Sequence, residues 1–173
     1  MSRKSPFHVD VFQDWDANRG YPKSQIVMLS FRVANRQHRP DRMTVRYRIA
    51  ATLYKIWSEW LLGIELPPST RVGARLRLRH GVGLVVNPHT LIGADVMLRH
   101  GVTLGNRHHE SDCPRIEDGV EIGAMAIVIG PVRVGAGARI GAGAIVVDDI
   151  PDGMSVVGAK GRLLLRQEQP NAE

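Results

Sequence analysis

The sequence predicts a mainly β chain, a parallel β-solenoid of hexapeptide repeats preceded by an α-helical segment. Three observations carry that expectation. From residue 72 to residue 157 an aliphatic residue heads each block of six: Val72, Leu78, Leu84, Ile92, Leu98 and Leu104, then Ile116, Ile122, Val128, Val134, Ile140 and Val146. The second position is often glycine, as at Gly73, Gly93, Gly105, Gly123, Gly135 and Gly141. The fifth is small or aliphatic, as at Leu76, Val82, Val96, Val102, Val120, Ala126, Val132, Ala138 and Ala144. A period of six suits short flat strands around a narrow core, with glycine permitting the bend at each corner. No helical period produces it. A glycine-rich linker would not hold its aliphatics in phase.

Composition sets the outer bounds. The chain has 173 residues, of which 43% are hydrophobic, enough for one core with an appendage. No run of eighteen apolar residues is present, so no membrane-spanning helix is expected. The start lacks the apolar stretch of a secretory signal, and the single cysteine, Cys113, excludes internal disulfides. Both point to the cytoplasm. The formal charge of +6 suits nucleic acid, a membrane surface or an anionic ligand. The basic residues are dispersed and are not interleaved with aromatics among the hexads, so nucleic acid is not expected as a partner.

Every aromatic residue lies between Phe7 and Trp60, and nearly all the glycine follows Leu62. The shift marks a boundary near Gly63, dividing a helical segment (1–63) from the hexads (64–157) and a tail (158–173). Val9 to Asn18 reads as a short helical stretch ending at Gly20. A helix begins at Tyr21-Pro22-Lys23-Ser24, with proline in its first turn. Ile26, Leu29 and Val33 follow helical spacing, with Arg32, Arg36 and Arg39 on other faces. Pro40-Asp41 stops it. The next helix covers about 42–62, with an apolar stripe at Ile49, Leu53, Ile56, Trp57, Trp60 and Leu61 and Gly63 as its C-terminal cap. The segment is expected to lie over one end of the solenoid, covering open strand edges. A second, compatible reading takes Arg32, Arg36, Arg39, Arg42, Arg46 and Arg48 as a basic surface for anionic headgroups or a lipid-linked diphosphate. That would place the chain peripherally at the inner face of the membrane.

Among the hexads, the eight residues from Leu84 to Ile92 are two too many, so a small insertion is expected there. Leu78-Arg79-His80-Gly81-Val82 and Leu98-Arg99-His100-Gly101-Val102 are the same phrase, twenty residues apart. One triangular turn of three hexads plus the insertion would set the two imidazoles on neighbouring coils, about one strand spacing (~4.8 Å) apart at the backbone. The twelve residues from Leu104 to Ile116 are too polar for buried hexads. They predict a protruding loop (106–115) carrying His108, His109, Glu110, Asp112 and Cys113, a usual place for binding residues. Asp148 to Gly153 closes the solenoid, and Ser155 to Leu165 forms a last strand and tail with Lys160 and Arg162.

Several phrases together carry a resemblance: Arg99-His100-Gly101-Val102-Thr103-Leu104-Gly105-Asn106-Arg107, Cys113-Pro114-Arg115-Ile116, Gly119-Val120-Glu121-Ile122-Gly123-Ala124 and Val156-Val157-Gly158-Ala159-Lys160. In these the chain resembles the left-handed β-helix acyltransferases of the serine acetyltransferase type, and among them the enzymes that acetylate exopolysaccharide. The resemblance implies a homotrimer with acetyl-CoA, and no metal, between neighbouring β-helices. It implies His80 as catalytic base and Glu65 as the carboxylate that orients it; His100, in the repeated phrase, is a second candidate from the residues themselves, as base or as acceptor ligand. It also implies Gly105 near the thioester, Ala124 and Ala142 lining the CoA arm, and Lys160 toward the CoA phosphates. His108, His109 and Cys113 fall where the acceptor would bind. Two departures stand out. Serine acetyltransferases carry histidine where this chain has Cys113, and a small polar residue where it has His100. Both bear on the acceptor pocket and favour a sugar hydroxyl over serine.

The chemistry suits these residues. A hydroxyl attacks a thioester only as a base removes its proton, and histidine, titrating near ~6.5 in peptides, does so at neutral pH. A carboxylate on the other ring nitrogen fixes the tautomer, and backbone N–H groups would hold the oxyanion. The expected activity is acetyl-CoA-dependent O-acetylation of a sugar hydroxyl in an exopolysaccharide or its lipid-linked precursor. The alternatives are serine O-acetyltransferase, a zinc site drawn from His80, His89, His100, His108 and His109, and a non-catalytic scaffold.

Overall fold

In the computed structural model the described residues are 10–38 and 44–160. Arg39, Pro40-Asp41, Arg42 and Arg162 fall outside them. Helix α1 covers Pro22–Gln37 and α2 covers Val45–Lys55, continuing in a π-helical turn, Ile56–Leu61. The stretch before α1 forms only a 3-10 turn, Asp16–Asn18. Fourteen short strands follow, β1 (Ile64–Glu65) to β14 (Ser155–Val156). They stack in three parallel sheets: β1 with β4 (Leu84–Val86), β7 (Thr103–Gly105), β10 (Ile127–Ile129) and β13 (Ile145–Val146); β2 (Arg71–Val72) with β5 (Leu91–Ile92), β8 (Arg115–Ile116) and β11 (Arg133–Val134); and β3 (Arg77–Arg79) with β6 (Met97–Arg99), β9 (Glu121–Ile122), β12 (Arg139–Ile140) and β14. Up to β13 every third strand returns to the same sheet, and before β14 a single bridge from Ile150 to Val134 takes the place of a strand, so the chain winds through about five triangular coils. The hexad heads from Val72 to Val146 are buried, and with Leu66 they form one continuous core.

Position-two glycine has a reason other than bending. Gly73 and Gly123 have ordinary backbone conformations, but a Cβ on either would lie 2.5 Å from the backbone of the next coil. The coils approach too closely there for any side chain. The left-handed turn positions are elsewhere and admit larger residues, including His80 (φ 68°) and Met125 (φ 60°).

The two surplus residues lie earlier than the spacing suggests. Ile64 pairs with Leu84, but Val85 pairs with Thr103 and Val86 with Leu104. The head of β4 (Leu84–Val86) is therefore Val86, with Leu84 as its buried position-five residue. The insertion falls at the corner after Leu78, among Gly81, Val82 and Gly83, which is why Val82 is exposed. Both placements fit an aliphatic-only pattern, because Leu84 and Val86 are both inward.

The helical segment lies over the first coil, through a face that an apolar pattern does not find. Val27, Met28, Phe31 and Ala34 of α1 join the core, whereas Ile26 and Val33 are largely exposed. Polar residues on the same inward side bind the open strand edge. Asn18 Nδ2 donates to Leu76 O (2.8 Å) and its Oδ1 accepts from Leu78 N (2.9 Å); Ser24 Oγ donates to Leu78 O (2.9 Å). Arg32, expected on a basic surface, is fully buried instead. It pairs with Asp14 at 2.6 Å and donates to Val72 O (2.8 Å) and Gly73 O (2.6 Å), while Asp14 accepts from Leu76 N (2.9 Å). Side chains thus act as the missing strand. On α2 and its π-helical turn the buried side holds Tyr47, Tyr54 and Ser58, and most of the apolar stripe faces outward.

Candidate active site

One corner of the prism, between the β3 sheet and the β1 sheet, gathers four of the expected site residues. Successive coils place His80, His100, Ala124 and Ala142 there. Hydrogen bonds along the corner link them: Gly101 N to Val82 O (2.9 Å), Met125 N to His100 O (3.0 Å) and Gly143 N to Ala124 O (2.9 Å). The column continues to Gly158, where a Cβ would meet Ala142 O at 2.7 Å, and the exposed Lys160 follows two residues later. Four strand spacings from the first coil to the fifth give a column of roughly 19 Å. Small residues leave its backbone N–H and C=O groups accessible, which suits an extended polar arm with Lys160 available to a phosphate at its far end. A shallow groove of about 290 Å³ beside it is lined by Arg99, Arg139, Gly123, Gly141 and Val157.

At the start of the column the two imidazoles stand edge to face, with ring centroids 6.2 Å apart. Their identical phrases adopt different backbones. His80 has positive φ and Val82 N closes back on its carbonyl (2.5 Å), whereas at the later corner Gly101 takes the left-handed position (φ 66°). His80 is further flanked by Tyr21, whose ring lies 6.0 Å away at 82°. The Arg79 guanidinium stacks on Tyr21 at 4.2 Å and donates to Ala17 O (3.2 Å). The helical segment therefore holds one side of the His80 corner, a contact with no signature in the spacing of the hexads. Glu65 lies on the exposed face of the neighbouring strand, in register with Val85. No hydrogen bond joins it to His80 among the described residues.

The remaining candidates lie elsewhere in the chain. Gly105 ends β7 (Thr103–Gly105), and the loop leaves from there, at the opposite edge of the β1 sheet from the histidine corner. His108 and His109 are exposed. The turn is held by His109 N donating to Asp112 Oδ2 (3.1 Å) and by the Cys113 thiol donating to Glu110 O (3.1 Å). Burial raises the Cys113 thiol pKa, with Asp112 adding to the effect and Thr90 opposing it. The thiol is thus held in its protonated form, which disfavours it as a nucleophile. Among the described residues no group of three His, Cys, Asp or Glu side chains comes together to hold a metal ion.

No family model matches the chain. It is 34% identical over 112 residues to the colanic acid biosynthesis acetyltransferase WcaB of Escherichia coli K12, covering 64% of this chain and 69% of WcaB. It is 38% identical over 123 residues to the serine acetyltransferase of Bacillus licheniformis, covering 70% of this chain but 56% of that enzyme. The structure also resembles Neisseria gonorrhoeae serine acetyltransferase in complex with serine, with a TM-score of 0.72 and 30% identity over 88% of this chain and 67% of that one. Sequence, coil and corner agree: the chain belongs to the left-handed β-helix, hexapeptide-repeat acyltransferases of the serine acetyltransferase type.

Proposed function

We propose that the protein is an acetyl-CoA-dependent O-acetyltransferase that modifies a sugar hydroxyl of an exopolysaccharide or its lipid-linked precursor. The observation that carries the reading is the pair of imidazoles at the head of a small-residue column. His80 takes the proton of the attacking hydroxyl. The ester C–O bond forms as the thioester C–S bond breaks, and the proton passes from His80 to the departing sulfur. Tyr21 and His100 hold the His80 ring from two sides, and Glu65 orients it when the acceptor tightens the corner. Ala124, Ala142 and Lys160 hold acetyl-CoA, whose part is to supply the activated acetyl group.

The acceptor residues His108, His109 and Cys113, with Gly105, meet the histidine corner of a neighbouring chain in a homotrimer. Within one chain they lie across a sheet from it, so the site is complete only between subunits. The serine reading draws support from the likeness to the Neisseria gonorrhoeae enzyme. His100 and Cys113, two positions at which this chain departs from serine acetyltransferases, favour the glycan. A lipid-linked acceptor would be met at the inner face of the membrane, where the enzyme is proposed to act.

The test measures release of CoA thiol from acetyl-CoA with free serine, with soluble acidic and neutral glycans, and with a lipid-linked oligosaccharide. Turnover with a glycan and not with serine is expected. Saturable turnover with serine alone would overturn the glycan reading, and acetyl-CoA binding without transfer to any acceptor would overturn the enzyme reading.

A further inference from the structure

We infer that the outward face of α2 and its π-helical turn is a docking surface for an anionic phospholipid bilayer. Val45, Ile49, Leu53, Ile56 and Trp60 form a row spaced by four, four, three and four residues, and all are between 55% and 83% exposed. An amphipathic helix normally turns such a row inward. Here the inward side is taken by Tyr47, Tyr54 and Ser58, and the apolar row is left without a partner in the chain. Leu29 and Val33 of α1 extend it into an apolar groove of about 650 Å³, floored by Tyr54 and Trp57. So large a contiguous apolar surface marks a contact with something else.

Charge decides which occupant fits. Arg46, Arg48 and Lys55 flank the row, and Arg36 of α1 adds another cation. Glu59, the sole acid on the two helices, is paired with Lys55 at 3.5 Å. Arg36, Arg46 and Arg48 have no acidic partner among the described residues. An apolar row with cationic margins and an exposed tryptophan matches the boundary of an anionic leaflet. Acyl chains take the row, and phosphates take the cations. A second copy fits less well, because two of these faces brought together would set Arg46 and Arg48 of each against the same cations of the other.

Placement gives the contact a consequence. Trp60 is three residues before Gly63, whose carbonyl accepts from Gly83 N (2.7 Å) in the corner that carries His80. A docked helix therefore holds the histidine corner beside the membrane. The inference extends the lipid-linked acceptor reading, but its surface can be tested without acetyl transfer.

The experiment is co-sedimentation of the full chain with vesicles of phosphatidylglycerol and phosphatidylcholine, against phosphatidylcholine alone. Binding to the anionic vesicles is expected, weakened at about 0.5 M salt. Leu53→Glu with Trp60→Glu should lower it about ten-fold, with circular dichroism and acetyl-CoA turnover on a soluble acceptor unchanged. Arg46→Glu with Arg48→Glu should abolish the preference for anionic lipid. The milder Leu53→Ser gives the same direction should the double variant misfold. No binding by the wild type, or equal binding by all variants, would overturn the inference. So would loss of a larger assembly in light scattering by the Leu53 variants, coupled with no vesicle binding by the wild type, since the row would then join copies of the chain.

Discussion

His80 occupies a left-handed backbone position and sits between two rings, so packing holds its side chain in place before the Glu65 carboxylate is called on to orient it. His80→Ala is expected to lower kcat by about 10²–10⁴, the usual worth of a general base. Tyr21→Ala should lower kcat by about ten-fold with little change in KM, whereas Tyr21→Phe, which keeps the ring, should retain activity; steady-state kinetics separates these outcomes. A purely structural role for Tyr21 would instead lower the melting temperature and leave kcat per folded enzyme unchanged. Cys113 should behave in the opposite way. Its thiol is raised by burial, so alkylation by iodoacetamide at pH 7 should be slower than that of a free cysteine and should accelerate as the pH climbs toward the raised pKa. Cys113→Ser should keep kcat. The histidine pair was legible in the sequence because the same five-residue phrase occurs twice. Tyr21 was not, because its contact is made by the docking of a helix, and no local pattern encodes it.

Among the elements, the hexads declared themselves because one inward aliphatic per strand is a packing requirement repeated over many coils. The helical segment was read on the wrong side for a physical reason. Its inward face must bond the bare edge of the first coil as well as fill it, so that face mixes Arg32, Asn18 and Ser24 with Phe31 and Met28. A search for apolar spacing discards those polar positions and chooses Ile26 and Val33. The Asp14–Arg32 pair is buried on both sides and bonded to three backbone groups of the first coil, Val72 O, Gly73 O and Leu76 N. Arg32→Met should destabilise the fold by about 3–5 kcal/mol, because the Asp14 charge and the Val72 and Gly73 carbonyls would be left buried without partners. Urea unfolding measures it. A loss below about 1 kcal/mol would mean that water reaches this edge.

At the scale of the whole molecule, the loop and the histidine corner lie on opposite edges of one sheet, so a shared site predicts complementation between subunits. A His80→Ala chain and a chain lacking residues 107–112 should each be inactive. Mixed in equal amounts and reassembled, they should recover about one quarter of wild-type activity, the fraction of sites that draw an intact half from each. No recovery would place the whole site within one chain. A trimer is not legible in the spacing of the hexads, since a repeat records how coils stack and not which faces of the prism would meet. The unequal corners add one more consequence. Five letters, Leu-Arg-His-Gly-Val, carry two meanings in a single chain, and the difference is the dipeptide Val82-Gly83. Excising it would make the first corner a twin of the second and bring the imidazoles into step. The coil should still wind, since Leu84 would fall where Val102 does. An incoming hydroxyl would then face two equivalent rings competing for one proton, and catalysis should fail in a protein that melts like its parent.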